Sequence, residues 1–305
     1  MNSCQKVFSV CALALLTQAA FAQVPDLGAA SDFAVLSALT TSPGVVTCTD
    51  STIDGNVGTA SSNPLSVTQT RCTITGGVVT PVSAHVLADF NDAYDALASN
   101  TTTPCDFVWS VTTFPSTPLL PGVHCFDAAV TAVSGSTLTL VGDSNATWLF
   151  KIGTLGTGAL TGTDFSVAME GGAQACNVTW WVKEAASMTR GAFNGTILAG
   201  AAITFVGTAG TAVEETYVGR ALAKAAVTLT DVAFVGCEGN GNGNGKSKSK
   251  CNQGVGNGSE NCDPGNSNQD GHNSNPFNDG TPAGNTNDEL GGTPGNPGRK
   301  GGNTK

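Results

Sequence analysis

Charge is scarce in this chain, and positive charge is scarcer still. Asp, Glu, Lys and Arg make up only 12% of the 305 residues, with 13 basic against 23 acidic side chains and a net charge of −10. A nucleic-acid or anionic-membrane partner calls for a basic stripe, so neither is expected. Histidine is almost missing: His85, His124 and His272 are the only three, and no two are close in sequence. There is no Gly-x-Ser-x-Gly elbow, His-Glu-x-x-His pair or phosphate-cradling loop, and no Cys-x-x-Cys spacing of a zinc site. The carboxylates Asp127, Asp143, Asp164, Glu170 and Asp231 are scattered singly. Lys183 and Glu184 are adjacent and would point to opposite sides of a strand. These absences lead to an expectation of no catalytic residues, no metal and no cofactor.

Long apolar runs are also lacking. Val7 to Leu16 is too short for a membrane span of about 20 residues, and no later segment is long and apolar enough. With Lys6 before it and Ala20-Phe21-Ala22 after it, the run reads as a signal peptide over 1–22, cut after Ala22. The chain is therefore expected to be secreted. Cys4 and Cys11 would leave with that segment. The eight remaining cysteines, an even number, suit disulfides in an exported chain. Nearest-neighbour pairing would join Cys48 to Cys72, Cys105 to Cys125, Cys176 to Cys237 and Cys251 to Cys262; other connectivities remain open at this stage.

Glycine, threonine, serine, alanine and valine take the place of charge. From Gly239 onward, apolar residues almost vanish, so 239–305 is expected to be a disordered Gly/Asn-rich tail. Within it, Asn266-x-Asn268-x-Asp270-Gly271 resembles a calcium loop only faintly, because Phe277 stands where a bidentate Glu is needed. Residues 23–238 read as one domain. A single amphipathic helix is predicted over 83–99, with Val86, Phe90, Ala93 and Leu97 on one face and Ser83 as N-cap. The rest of the domain reads as short strands. From residue 136 on, two kinds of segment recur. One is Thr137–Leu140, Phe165–Ala168, Ala202–Phe205 and Ala226–Leu229. The other is Trp148–Lys151, Trp180–Lys183, Thr196–Ala199 and Arg220–Ala223. The first two segments of each kind are 28 and 32 residues apart and the last two 24, a spacing that is short for a propeller blade and suits a β-solenoid.

The same residues carry a resemblance. Leu27–Leu36, Ile53–Gly58, Leu120–Val123, Trp148–Gly153, Gly172–Trp180, Phe193–Ala199, Val218–Ala223 and Ala226–Leu229 occur in order across nearly all of 27–235. Together they are similar to the secreted microbial ice-binding proteins. The resemblance implies a mainly β fold, a right-handed β-helix of triangular cross-section with one α-helix packed alongside. It also implies that one flat face carrying Thr-Ala/Gly-x-Thr/Asn steps meets ice.

On that basis Thr208-Ala209-Gly210-Thr211 is the leading candidate step. Thr161 with Thr163, then Thr131, Thr154, Thr157 and Thr189 are further ice-face candidates. Threonine is also simply a good strand former, so its abundance alone does not identify a site. Glu214 and Glu215 follow the leading step and Arg190 adjoins Thr189, and charges there would spoil an ice contact. The expected partner is an ice crystal surface or another extended repetitive surface, met by a monomer. The alternative is a surface adhesin or extracellular-matrix protein using the same face on polysaccharide or cells. A polysaccharide-degrading β-helix enzyme is a third reading.

Overall fold

The computed structural model describes residues 24–40, 45–210 and 216–237. The signal segment, the tail, Cys251 and Cys262, Thr211, Glu214 and Glu215 lie outside these residues. The described chain is a parallel β-solenoid with three strands per coil. All strand pairings within it are parallel.

Face A is a nine-stranded sheet whose middle strands are Phe33–Ser37, Ala221–Ala223, Thr196–Ala199, Val178–Val182 and Trp148–Ile152, in that spatial order. Face B has seven strands: Val130–Thr131, Leu160–Thr163, Ala186–Thr189, Ile203–Val206, Val227–Thr230, Val46–Thr49 and Val67–Thr70. Face C has five strands, from Phe193–Asn194 to Thr73–Ile74. The pair Thr137–Val141 and Ser166–Glu170 continues that side, with Val167 N donating to Ala192 O.

Stacking order differs from chain order. The chain begins in the sixth coil, with Phe33–Ser37 on face A, Val46–Thr49 on B and Thr52–Asp54 on C. It completes the seventh coil and then leaves the stack through the helix α1, Ala84–Ala98. It re-enters at the far end with Phe107–Trp109 and fills the other coils, until Ala221–Ala223 meets Phe33–Ser37 and Val227–Thr230 meets Val46–Thr49.

The two strand types read from the sequence resolve into three faces. The Trp148, Trp180, Thr196 and Arg220 segments all contribute strands to face A. The other type divides. Thr137–Val141 and Ser166–Glu170 pair with each other, whereas Ile203–Val206 and Val227–Thr230 belong to face B. Two faces of the coil share the same in–out alternation, so period alone merges them.

Alternation also explains the burial. On face B every second residue points into the coil, as in Val46 and Cys48, Ala186 and Met188, or Val227 and Leu229. Face A is buried on both sides. Its inner side feeds a run of rings along the axis, in which Phe150 stacks on Trp180 at 4.1 Å and continues through Phe193, Phe205 and Tyr217. Its outer side, with Leu149, Trp181, Leu198 and Leu222, is covered by Val86, Phe90, Ala93, Tyr94 and Leu97 of α1. The helix starts at Ser83, whose Oγ accepts from Val86 N at 3.4 Å.

No basic residue lies in the last turn of α1, where backbone carbonyls lack partners. Lys151, from face A, supplies that charge. It is completely buried. Its Nζ donates to Asn100 Oδ1 at 2.8 Å, Thr103 O at 3.0 Å, Ser99 O at 3.2 Å and Thr103 Oγ1 at 3.2 Å. Burial pushes its pKa down to about 8. The Cys105–Cys125 disulfide ties the same post-helix segment to face A. Among the described residues, Cys48–Cys72 and Cys176–Cys237 are the other two disulfides.

Candidate functional face

Where one residue of a strand points inward, the next points outward. The register of face B therefore sets its outer surface. Thr131, Thr161, Ser187, Thr204, Thr228, Thr47 and Thr68 are successive partners and form one column. Thr163, Thr189, Val206, Thr230, Thr49 and Thr70 form a second column beside it. Every outward position carries a hydroxyl except Val206, and none carries a charge. Within a strand the two columns lie about 6.6 Å apart, and neighbouring coils lie about 4.8 Å apart. Seven strands thus extend the first column over about 29 Å.

The side chains of this grid are held in place. β-Branching leaves threonine few χ1 choices, and the pleat fixes the direction of each Cα–Cβ bond. At one end, Thr161 Oγ1 donates to Thr131 Oγ1 at 3.0 Å. The ring stack behind the sheet fills the coil interior, which close packing makes stiff.

The rim toward face C is different. Six of the seven coils leave face B through one corner residue, and these line up as Asp164, Arg190, Gly207, Asp231, Asp50 and Arg71. The five that are not glycine all have φ between 49° and 59°, a left-handed conformation costly for a side chain as large as arginine. Ion pairs bridge neighbouring corners. Arg190 Nε and Nη2 donate to Asp164 at 2.6 and 2.8 Å. Arg71 does the same to Asp50, with its Nη2 at 2.6 Å. The guanidinium beside each carboxylate holds Asp164 and Asp50 below the usual carboxylate range. Arg190 therefore sits at the rim, engaged by Asp164, and does not interrupt the hydroxyl columns.

Among the threonines singled out from sequence, Thr131, Thr161, Thr163 and Thr189 stand on this face. Thr154 and Thr157 do not: they lie in the turn between faces A and B, and Thr154 Oγ1 donates to Phe126 O at 3.3 Å. Thr208 lies in the exposed turn after face B ends at Val206. The expectation of contiguous four-residue steps singled out Thr208, whereas face B is built from alternate strand residues. It also passed over Thr47, Thr49, Thr68, Thr70, Ser187, Thr204, Thr228 and Thr230. The signal for them was present: an apolar residue followed by Thr-x-Thr and then Asp or Arg, as in Val46–Asp50, Val67–Arg71, Leu160–Asp164 and, with a Ser for the first Thr, Ala186–Arg190.

The histidines are used structurally where they are described. His124 is buried; Trp109 Nε1 donates to its Nδ1 at 3.3 Å, and its Nε2 donates to Leu120 O at 2.9 Å. Burial lowers its pKa, which keeps the ring neutral. His85 lies exposed on α1, 3.5 Å from Asp89. Among the described residues, no group of three His, Cys, Asp or Glu side chains is placed to hold a metal ion, and no helix is long and apolar enough to cross a membrane.

The described residues thus form a parallel β-solenoid that carries one uncharged, hydroxyl-bearing sheet on its outside. The chain belongs to the ice-binding-like family, whose sequence model matches residues 39–234. It is 32% identical to ice-binding protein K3-B1 of Typhula ishikariensis over 228 residues, covering 67% of this chain and 89% of that one. Two solved structures share the fold. One is an ice-binding protein from an Antarctic biological consortium, with a TM-score of 0.58 and 28% identity over 72% of this chain and 94% of that one. The other is an ice-binding protein from the Antarctic ascomycete Antarctomyces psychrotrophicus, with a TM-score of 0.57 and 27% identity over 69% and 97% of the two chains.

Proposed function

We propose that this chain is a secreted ice-binding protein, of antifreeze or recrystallisation-inhibiting activity, and that face B is the surface that meets ice. The single observation carrying this reading is the pair of columns in register on face B, the first with a hydroxyl on all seven strands and the second with one on five of six. Threonine offers a methyl group that favours ordered water and a hydroxyl that anchors it. Rotamers fixed before contact lose little entropy on docking. Each contact is weak, but many act together on one rigid body, so the effect grows with the number of coils engaged. The reading includes a monomer that needs no cofactor and performs no catalysis. Its N-terminal 22 residues act as the export signal.

The test is direct. The purified mature chain is expected to facet ice crystals, to produce a gap between melting and freezing points, and to stop recrystallisation in a frozen sucrose film. Ordinary round growth at millimolar protein would overturn the function itself.

A further inference from the structure

Five Asn-x-Ser/Thr triplets occur in the sequence: Asn100-Thr101-Thr102, Asn145-Ala146-Thr147, Asn177-Val178-Thr179, Asn194-Gly195-Thr196 and Asn257-Gly258-Ser259. Such a triplet accepts an N-linked glycan in an exported chain when a bulky, hydrated group fits there. The fifth lies outside the described residues. The structure sorts the other four by what each side-chain amide nitrogen is doing.

Two are committed to the stack. Asn177 Nδ2 donates to Ser144 O of the neighbouring coil at 3.0 Å, and the adjacent Cys176 is tied to Cys237. Asn194 sits in a strand of face C. Its Nδ2 donates to Val167 O at 2.7 Å, and its own carbonyl accepts from Trp180 Nε1 at 3.0 Å. A sugar on either nitrogen would have to occupy space that the next coil fills.

The other two are free to carry one. Asn145 is exposed, in the turn between Thr137–Val141 and Trp148–Ile152. Its backbone N–H is satisfied by Asp143 Oδ1 at 2.8 Å, and no hydrogen bond within the described residues uses its Nδ2. Asn100 is exposed just beyond the C-cap of α1. It uses Oδ1 to accept from Lys151 Nζ at 2.8 Å, which leaves Nδ2 turned to other use. An N-glycosidic bond spares that oxygen, so the lysine contact and a glycan are compatible.

We infer that Asn100 and Asn145 are N-glycosylation sites and that Asn177 and Asn194 are not. The donor is a lipid-pyrophosphate-linked oligosaccharide, transferred by the membrane enzyme of the secretory pathway. Nδ2 forms a bond to the anomeric carbon, the bond from that carbon to the phosphate oxygen breaks, the lipid pyrophosphate leaves, and a proton on Nδ2 passes to a base on the enzyme. Both sites lie away from the hydroxyl columns. The Asn145 turn is at the corner joining the C side to face A, opposite face B, and Asn100 is beside the helix that covers face A. Glycans there add hydration and bulk to the rear of the solenoid and leave the grid bare.

The experiment is to secrete the full chain from a eukaryotic host, release glycans with peptide-N-glycosidase in ¹⁸O-labelled water, and map the Asn-to-Asp conversions by mass spectrometry. Conversion is expected at Asn100 and Asn145 and not at Asn177 or Asn194. Thr102→Ala, which keeps Asn100 for Lys151, and Asn145→Gln should each remove one glycan-sized mobility step. Conversion at Asn177 or Asn194 would overturn the sorting. No conversion at Asn100 or Asn145, while a co-secreted control is glycosylated, would overturn the site that stays unmodified. Neither result bears on whether face B meets ice.

Discussion

Thr204 is the fourth of seven residues in the first hydroxyl column, with Thr131, Thr161 and Ser187 on one side and Thr228, Thr47 and Thr68 on the other. Replacing it by tyrosine plants a ring that stands several ångströms above the plane. Dispersion contacts lose a quarter to a half of their depth at a gap of about 0.5–1 Å. The coils on both sides, about 4.8 Å away, are therefore lifted out of contact. Losing the substituted coil and its two neighbours leaves Thr131 with Thr161 at one end and Thr47 with Thr68 at the other. Thr68→Tyr, at the end of the column, lifts its own coil and one neighbour and leaves five coils contiguous.

Because binding through many weak contacts falls steeply with their number, the central variant should lose thermal hysteresis by about tenfold or more. The terminal variant should retain most of it. Neither side chain points into the core, so the change in stability should stay within about 0.5 kcal/mol. For a domain of this size that is a shift in Tm of about 2 °C or less. The assay is nanolitre osmometry at matched concentration, with calorimetric melting as control. Equal loss in both variants, or no loss in either at unchanged Tm, would refute the contiguous-grid reasoning.

Other predictions concern what holds the grid flat. Folded Lys151 releases its proton near pH 8, whereas the unfolded chain holds it to about 10.5. The unfolded state is thus the more protonated one in that window, and stability should rise with pH by up to about 1.4 kcal/mol per unit. Chemical denaturation between pH 8 and 10 checks this, below the range where Tyr94, pushed up to about 12 by burial, acts in the opposite sense. Lys151→Met should flatten the slope, and a slope unchanged by that substitution would remove Lys151 as its source. Leu198→Ala empties a buried position beneath α1; it should cost about 2–5 kcal/mol and lower Tm by roughly 5–15 °C. Ice shaping well below that Tm should persist, because the inward and outward sides of face B are untouched. The Cys176–Cys237 bond spans 61 residues. Replacing both cysteines by serine should cost about 4 kcal/mol on the chain-entropy account, seen as a lower denaturation midpoint.

Local features of this fold are legible in the linear chain. The helix is marked by Ser83 and by Val86, Phe90, Ala93 and Leu97, because a 3.6-residue period needs only neighbours along the chain. Strand alternation is legible for the same reason, and nearest-neighbour pairing of Cys48, Cys105 and Cys176 matches the observed bonds. The role of Lys151 was not legible. It reads as one residue of an apolar strand, and nothing in sequence places it under the end of a helix some fifty residues earlier. Among the flanking charges, Arg190 misled for a similar reason. Arg190 adjoins a face residue in sequence, yet a single left-handed corner turns it away toward Asp164.

The sequence by itself determined the components: an amphipathic helix, strands whose alternate residues are apolar, and Thr-x-Thr pairs opposite them. It did so because side-chain direction follows from backbone period within each short segment. Only the tertiary structure decided that these pairs make one surface. Val46–Thr49 lies about 180 residues from Val227–Thr230 in the chain, yet the two strands are hydrogen-bonded neighbours. The helix carries the chain from one end of the solenoid to the other, so the coils formed first become the last in the stack. The grid thus depends on register between distant strands, which backbone hydrogen bonds set and local pattern does not encode.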